Sequence, residues 1–126
     1  MGLLSGLLGN ASEVAADKLD DVFASVLVDG EQIEKAYQLI RDIFVFTNKR
    51  VIFVDKQGVT GKKKQFVSIP YGKVTKFAME TAGHFDIDSE LKIWVGSETM
   101  PVTADFGRSV AIREAYAVLS RHVLSA

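Results

Sequence analysis

From Phe85 to Val95 apolar and polar residues alternate almost without a break. Phe85, Ile87, Leu91, Ile93 and Val95 take the odd positions, and Asp86, Asp88, Glu90 and Lys92 the even ones. A period of two is that of a β-strand with one buried face, so Phe85, Ile87, Leu91 and Ile93 are expected to point into a core. Trp94 breaks the rule, a large aromatic on the charged side. The same period, less regular, runs through 34–40, 43–47, 50–55, 64–69, 74–82 and 100–104. Turn chemistry stands at the joints. Asn48-Lys49 has the make-up of a two-residue hairpin turn, with Asn accepting the positive φ that a type I′ turn requires. Gln57-Gly58, Thr60-Gly61, Pro70-Tyr71-Gly72 and Gly96-Ser97 mark further loops. Links this short make the strands mainly antiparallel, because a parallel crossover takes about a dozen residues or more.

Both ends of the chain follow a helical period instead. Asn10, with Glu13 three residues on, resembles a capping box. Behind it Ala15, Leu19, Val22, Phe23 and Val26 recur at i, i+4, i+7, i+8 and i+11. This spacing predicts a helix of about four turns with one apolar stripe, its other face filled by Asp17, Lys18, Asp20 and Asp21 and its end marked by Asp29-Gly30. Leu3, Leu4, Leu7 and Leu8 have the spacing of a further short helix, opposed by three nearby glycines. At the other end Asp105 is the expected N-cap of a helix that aligns Ile112, Tyr116, Leu119 and Val123 on one face. The expected class is mainly β (α+β). Seven antiparallel strands form a half-open barrel or sandwich capped by the C-terminal helix. An added N-terminal helical segment occupies residues 1–28, and the sheet domain residues 29–126.

Composition narrows the function classes. The chain has 126 residues, the size of one domain, and 48% of them are hydrophobic, enough for a core. Its net charge of −1 lacks the basic excess of a nucleic-acid binder, so nucleic acid is not an expected partner. It has no Cys, hence no disulfide framework, thiolate nucleophile or zinc–thiolate site. No apolar run approaches the roughly 20 residues that span a bilayer. The N-terminus lacks the basic region of a signal peptide, and Gly6 stands where a myristoylation motif asks for Ser or Thr. The expected location is cytoplasmic.

Several strings carry a resemblance. They are Tyr37-Gln38-Leu39-Ile40-Arg41-Asp42, Phe46-Thr47-Asn48-Lys49-Arg50, Ser68-Ile69-Pro70-Tyr71, and the runs from Asp55 to Lys63 and from Glu80 to Trp94. Together they resemble the bacterial pleckstrin-homology-like (PH-like) domains, over roughly residues 30–123. The resemblance implies a seven-stranded PH-like barrel with a C-terminal helix, a symmetric homo-oligomeric ring with a pentamer favoured, and no assigned activity. Eukaryotic members that bind phosphoinositides place a basic cluster between their first two strands. Here that joint is Arg41-Asp42, one charge of each sign.

Candidate chemistry is sparse. His84 and His122 are the two histidines, and neither stands in a hydrolase motif. Gly61-Lys62 fails as a phosphate loop, since Lys56 occupies the position of the first glycine and Lys63 that of the Ser or Thr. His84, Asp86, Asp88 and Glu90 share a strand face, but same-face neighbours about 7 Å apart cannot all reach one ion. The expectation is therefore no catalytic site, no metal and no cofactor. Lys62, Lys63 and Lys64 form the one basic run, a possible contact for an anionic surface, though three charges fall short of the usual lipid-binding cluster. Leu19, Val22, Phe23 and Val26 lie outside the barrel segment and must bury their stripe on that barrel, on a neighbouring chain or on a membrane. With acids around Lys18, protein contact outweighs membrane contact. These four residues and Trp94 are the candidate oligomer contacts. The expected function is a non-enzymatic binding or scaffold module whose partner is itself, with another protein as a further candidate. The alternative is a peripheral anionic-lipid adaptor.

Overall fold

The computed structural model describes residues 12–14, 19–39, 42–57, 63–81, 88–108 and 110–125. One antiparallel sheet takes its strands in chain order: β1 (Ser12–Glu13), β2 (Ile33–Gln38), β3 (Ile43–Thr47), β4 (Arg50–Gln57) and β5 (Lys63–Pro70). A single helical turn, α1 (Asp20–Phe23), lies between β1 and β2. A 3-10 turn (Tyr71–Lys73) then leads into a second antiparallel sheet of β6 (Val74–Glu80), β7 (Ser89–Val95) and β8 (Val102–Gly107), and helix α2 (Ala111–Ser125) ends the described chain.

Alternation builds the main core. Tyr37, Phe44, Phe46, Val51, Phe53 and Ile69 point inward from the first sheet and meet Leu91, Ile93, Ala104 and Phe106 from the second. Ile112, Ala115, Val118 and Leu119 of α2 close it, with Tyr116 and Val123 at its margin. Leu91 and Ile93 are completely buried, as the alternation predicts, while Phe85 and Ile87 lie outside the described residues. At its centre are aromatic rings in edge-to-face contact, with centroids 5.1 Å apart for Phe44–Phe46 and 5.5 Å for Tyr37–Phe106.

The first sheet is buried on its other face as well. Ala36, Ile43, Val45, Ile52 and Val54 point outward there and are covered by Leu19 and Phe23. This explains the unbroken apolar run of β3, whose five residues are all buried. The inward side of β2–β4 is mostly aromatic and the outward side aliphatic.

Three sequence expectations are corrected. The four-turn N-terminal helix does not form: Ser12 and Glu13 are extended, pairing with Gln38 and Tyr37, and Val14 N donates to Ala36 O at 2.8 Å. The apolar stripe needs only one helical turn to bring Leu19 and Phe23 onto the sheet, and an extended Ser12–Glu13 pairs the free edge of β2. Asn10, Ala15 and the leucines at 3, 4, 7 and 8 lie outside the described residues. Asp105 is not the cap of α2, because buried Ala104 and Phe106 continue the strand on either side of it. Its Oδ1 accepts from Gly107 N at 2.8 Å, where Gly107 turns the chain at φ 60. The β3–β4 hairpin turns at Asn48-Lys49, yet neither residue has positive φ. Thr47 Oγ1 accepts from both Lys49 N and Arg50 N, at 3.0 and 2.9 Å, and closes the turn with a side chain instead.

Candidate functional site

The sequence-predicted contact residues separate according to this two-faced sheet. Leu19 and Phe23 are buried on their own chain's outer face, and Val26 is half-buried at its margin. Val22, on the same turn, is 36% exposed. Phe66 of β5, also 36% exposed, is opposite Val54 in register and edge-on to the Phe23 ring at 5.8 Å. Phe66 was not singled out in the sequence, because its neighbours Lys63, Lys64 and Gln65 read as a solvated hairpin end. An aromatic among exposed polar residues was the available signal.

β5 is the last strand of its sheet, and among the described residues no strand pairs with its far edge. Lys63 and Lys64 are exposed at its start, while Lys62 lies outside the described residues. The register sets Lys64 directly opposite Lys56 on β4.

A buried ion pair fastens the N-terminal arm to the hairpin. Gly30, at φ 81, turns the chain so that Glu31 N donates to Val28 O at 3.0 Å and the Glu31 side chain points inward. Arg50 Nε donates to Glu31 Oε2 at 2.8 Å and Nη2 to Oε1 at 2.9 Å, the two-pronged geometry that makes such pairs strong. Thr47 Oγ1 and Val28 N donate to the same carboxylate at 2.7 and 3.0 Å. Arg50 also donates from Nη2 to Val26 O and from Nη1 to Ser68 Oγ. The Arg50 hydrogen bonds, more than offsetting burial, hold the Glu31 carboxyl down at about 2.

A second polar set anchors α2. Tyr37 Oη donates to Glu114 Oε1 at 2.6 Å, and burial first, then that carboxylate, push the phenol up. Lys35 bridges Glu114 and Glu13 at 3.6 and 2.9 Å, which raises the ammonium's affinity for its proton. Near the other end of α2 the His122 ring lies flat on Tyr71, with centroids 4.2 Å apart, and its Nε2 is 2.7 Å from Glu34 Oε1. Tyr71 Oη in turn donates to Thr47 O at 2.7 Å. His122, Glu34, Glu114 and both tyrosines thus serve to hold elements together.

With this geometry in place, comparison with known proteins is decisive. The bacterial PH domain family matches residues 2–123. The chain belongs to that family. The uncharacterized protein YjqA of Bacillus subtilis is 49% identical over 121 residues, covering 95% of this chain and 97% of the relative. A protein with a pleckstrin-homology domain from Shewanella loihica superposes with a TM-score of 0.81 at 43% identity, covering 91% of this chain and 98% of its own. A pleckstrin homology domain from Shewanella amazonensis gives 0.79 at 43% identity, covering 97% and 98%.

In this PH domain the joint between the two strands after the arm is tight. Leu39 N donates to Asp42 O at 2.8 Å, and Gln38 Nε2 donates to Leu39 O and Asp42 O at 2.9 and 3.1 Å. Trp94, on the outer face of the PH domain's second sheet, is half-buried, with Lys76 Nζ 4.1 Å from its ring centroid, a cation–π contact across the β6–β7 pair. It belongs to the second sheet, whereas Leu19, Phe23 and Val26 pack on the outer face of the first. No helix among the described residues is long and apolar enough to cross a membrane.

Proposed function

We propose that this bacterial PH domain is a non-enzymatic binding module that works as a ring-shaped homo-oligomer. The observation that carries the reading is the open edge of β5. Among the described residues it is an eight-residue strand paired on one side, with Phe66 on it and Val22 of α1 each partly exposed. Exposed edge strands template pairing with another chain, and an apolar strip beside such an edge is a contact surface. The non-enzymatic part is supported by where the titratable side chains go, for the Glu31, Tyr37, Glu114 and His122 groups bind structural partners. Light scattering of the purified protein at micromolar concentration tests it. A mass several times that of one 13.8 kDa chain is expected, and a monomer overturns the reading.

A second reading, contact with an anionic lipid surface, is favoured by one observation, the two exposed lysines Lys63 and Lys64 side by side at the start of β5. Adjacent lysines attract an anionic lipid surface. Vesicles containing phosphatidylserine, mixed with the protein at low salt, test it. Binding lost in Lys63→Glu/Lys64→Glu supports this reading, and no binding by the parent removes it.

A further inference from the structure

We propose that the outer face of the first sheet is a docking site for an amphipathic helix of another protein, and that the N-terminal arm, residues 12–28, is a strap that fills it in cis. The two apolar clusters share no residue. Among the described residues the main core, between the sheets and α2, takes nothing from the arm. Lifting the arm therefore uncovers Ala36, Ile43, Val45, Ile52 and Val54 while the main core stays closed. A contiguous apolar face left bare is a contact surface.

The way the arm is held suits a strap. β1 pairs through two residues, a single helical turn brings in Leu19 and Phe23, and Gly30, at φ 81, marks the hinge. The occupant's chemistry is written in the arm itself. Leu19, Phe23 and Val26 are spaced i, i+4 and i+7, in a stripe that begins at Ala15, and helix-in-groove recognition uses such anchors. Among the described residues the α-helical part of that stripe is Asp20–Phe23 alone. The strap thus covers less than a full helix would, and Phe66, edge-on to Phe23, stays partly exposed. A partner helix of several turns buries that ring too, and the added apolar burial lets it displace the strap. Its polar face is acidic, as the arm's is, with Asp17, Asp20 and Asp21 against Lys18. Lys64, exposed, stands two residues from Phe66 on the same face of β5.

The probe is a fluorescently labelled synthetic peptide of residues 12–28, added to the full chain. Leu19→Asp/Phe23→Asp lifts the arm, and this protein should bind the peptide at least about tenfold more tightly than the parent, in which only the open fraction binds. Lys18→Pro in the peptide breaks a helix of several turns but not the turn Asp20–Phe23, and should weaken binding by about tenfold or more. Equal binding by the two proteins, no binding by either, or indifference to Lys18→Pro overturns the proposal. So does binding of phosphatidylserine vesicles in place of the peptide, which means that the face takes a membrane. A fall in oligomeric mass on lifting the arm means that a second copy's arm sits there, and overturns it too. Should the double variant not fold, hydrogen exchange in the parent decides. The amides of Val14, Val26 and Leu27, each bonded within or to the arm, should exchange about tenfold or more faster than those of Leu91 and Ile93, since the strap opens while the core is closed. Equal rates mean that the arm leaves only when the whole domain unfolds, and the proposal falls.

Discussion

Glu31 and Arg50, nineteen residues apart, meet through two parallel hydrogen bonds in a place where the carboxylate has no exposed surface. Each answers a need the other creates: the carboxylate is buried only because the guanidinium is there, and the guanidinium joins the arm's Val26 carbonyl to the β4 strand. Removing one partner leaves a buried charge, which costs about 3–5 kcal/mol. Glu31→Ala should therefore lower unfolding free energy by about that amount in urea titrations. Glu31→Ala/Arg50→Met should be less destabilised than the two single changes added together. A loss below about 1 kcal/mol for Glu31→Ala would sink the account.

The same pair sets an acid limit. Glu31 is held from an ordinary 4.5 down to about 2, so its folded state binds the proton more weakly than its unfolded state. The stability it contributes is fully present above about pH 4.5 and is lost as the pH falls through about 2. Thermal midpoints followed through that window should fall more steeply for the parent than for Glu31→Gln. Parallel curves would exclude Glu31 as the source.

Phe23 tests whether the arm is part of the fold. It is fully buried against the outer face of the first sheet, so Phe23→Ala should cost about 3–5 kcal/mol. An arm that merely rests on the sheet would give a small change, with a urea midpoint near that of the parent.

Leu91→Ala should cost about 2–5 kcal/mol, the range for truncating a fully buried leucine. Its urea slope should stay that of the parent, since the surface exposed on unfolding hardly changes. A midpoint unmoved by this change would contradict the inward direction of the β7 odd positions.

Trp94, the chain's one tryptophan, reports on Lys76. Lys76→Ala should uncover part of the indole and raise acrylamide quenching of its fluorescence, while stability changes by no more than about 1 kcal/mol. Quenching equal to the parent's would mean that the ammonium does not sit over the ring.

What the sequence made legible was whatever depends on local period. The β7 alternation placed Leu91 and Ile93, and the spacing of Ile112 and Leu119 placed the buried face of α2. The errors share a physical origin. Asp105 suits a helix cap and an outward strand position equally well, and only the burial of Phe106 beyond it separates the two. The stripe from Ala15 to Val26 has helical spacing, but the single turn Asp20–Phe23 suffices to bring Leu19 and Phe23 onto the sheet. The Glu31–Arg50 pair has no local signature at all, because its partners lie on segments brought together by the sheet. The open edge of β5 was hidden for a related reason: strand order, not strand pattern, decides which strand is last.

Since β3 and the Val51–Val54 stretch of β4 are apolar on both sides, hydrophobicity alone says nothing about which side should face which core. A strand displaced by one residue would still bury oily groups everywhere. What distinguishes the correct alignment is volume. Sliding β3 by one position would push Phe44 and Phe46 into the space under the arm that fits Ile43 and Val45, and would leave those smaller groups to fill the wide interior beneath α2. The one arrangement would be overfilled and the other hollow, both unfavourable. The register of this sheet is thus written in side-chain size, aromatic on one side and aliphatic on the other.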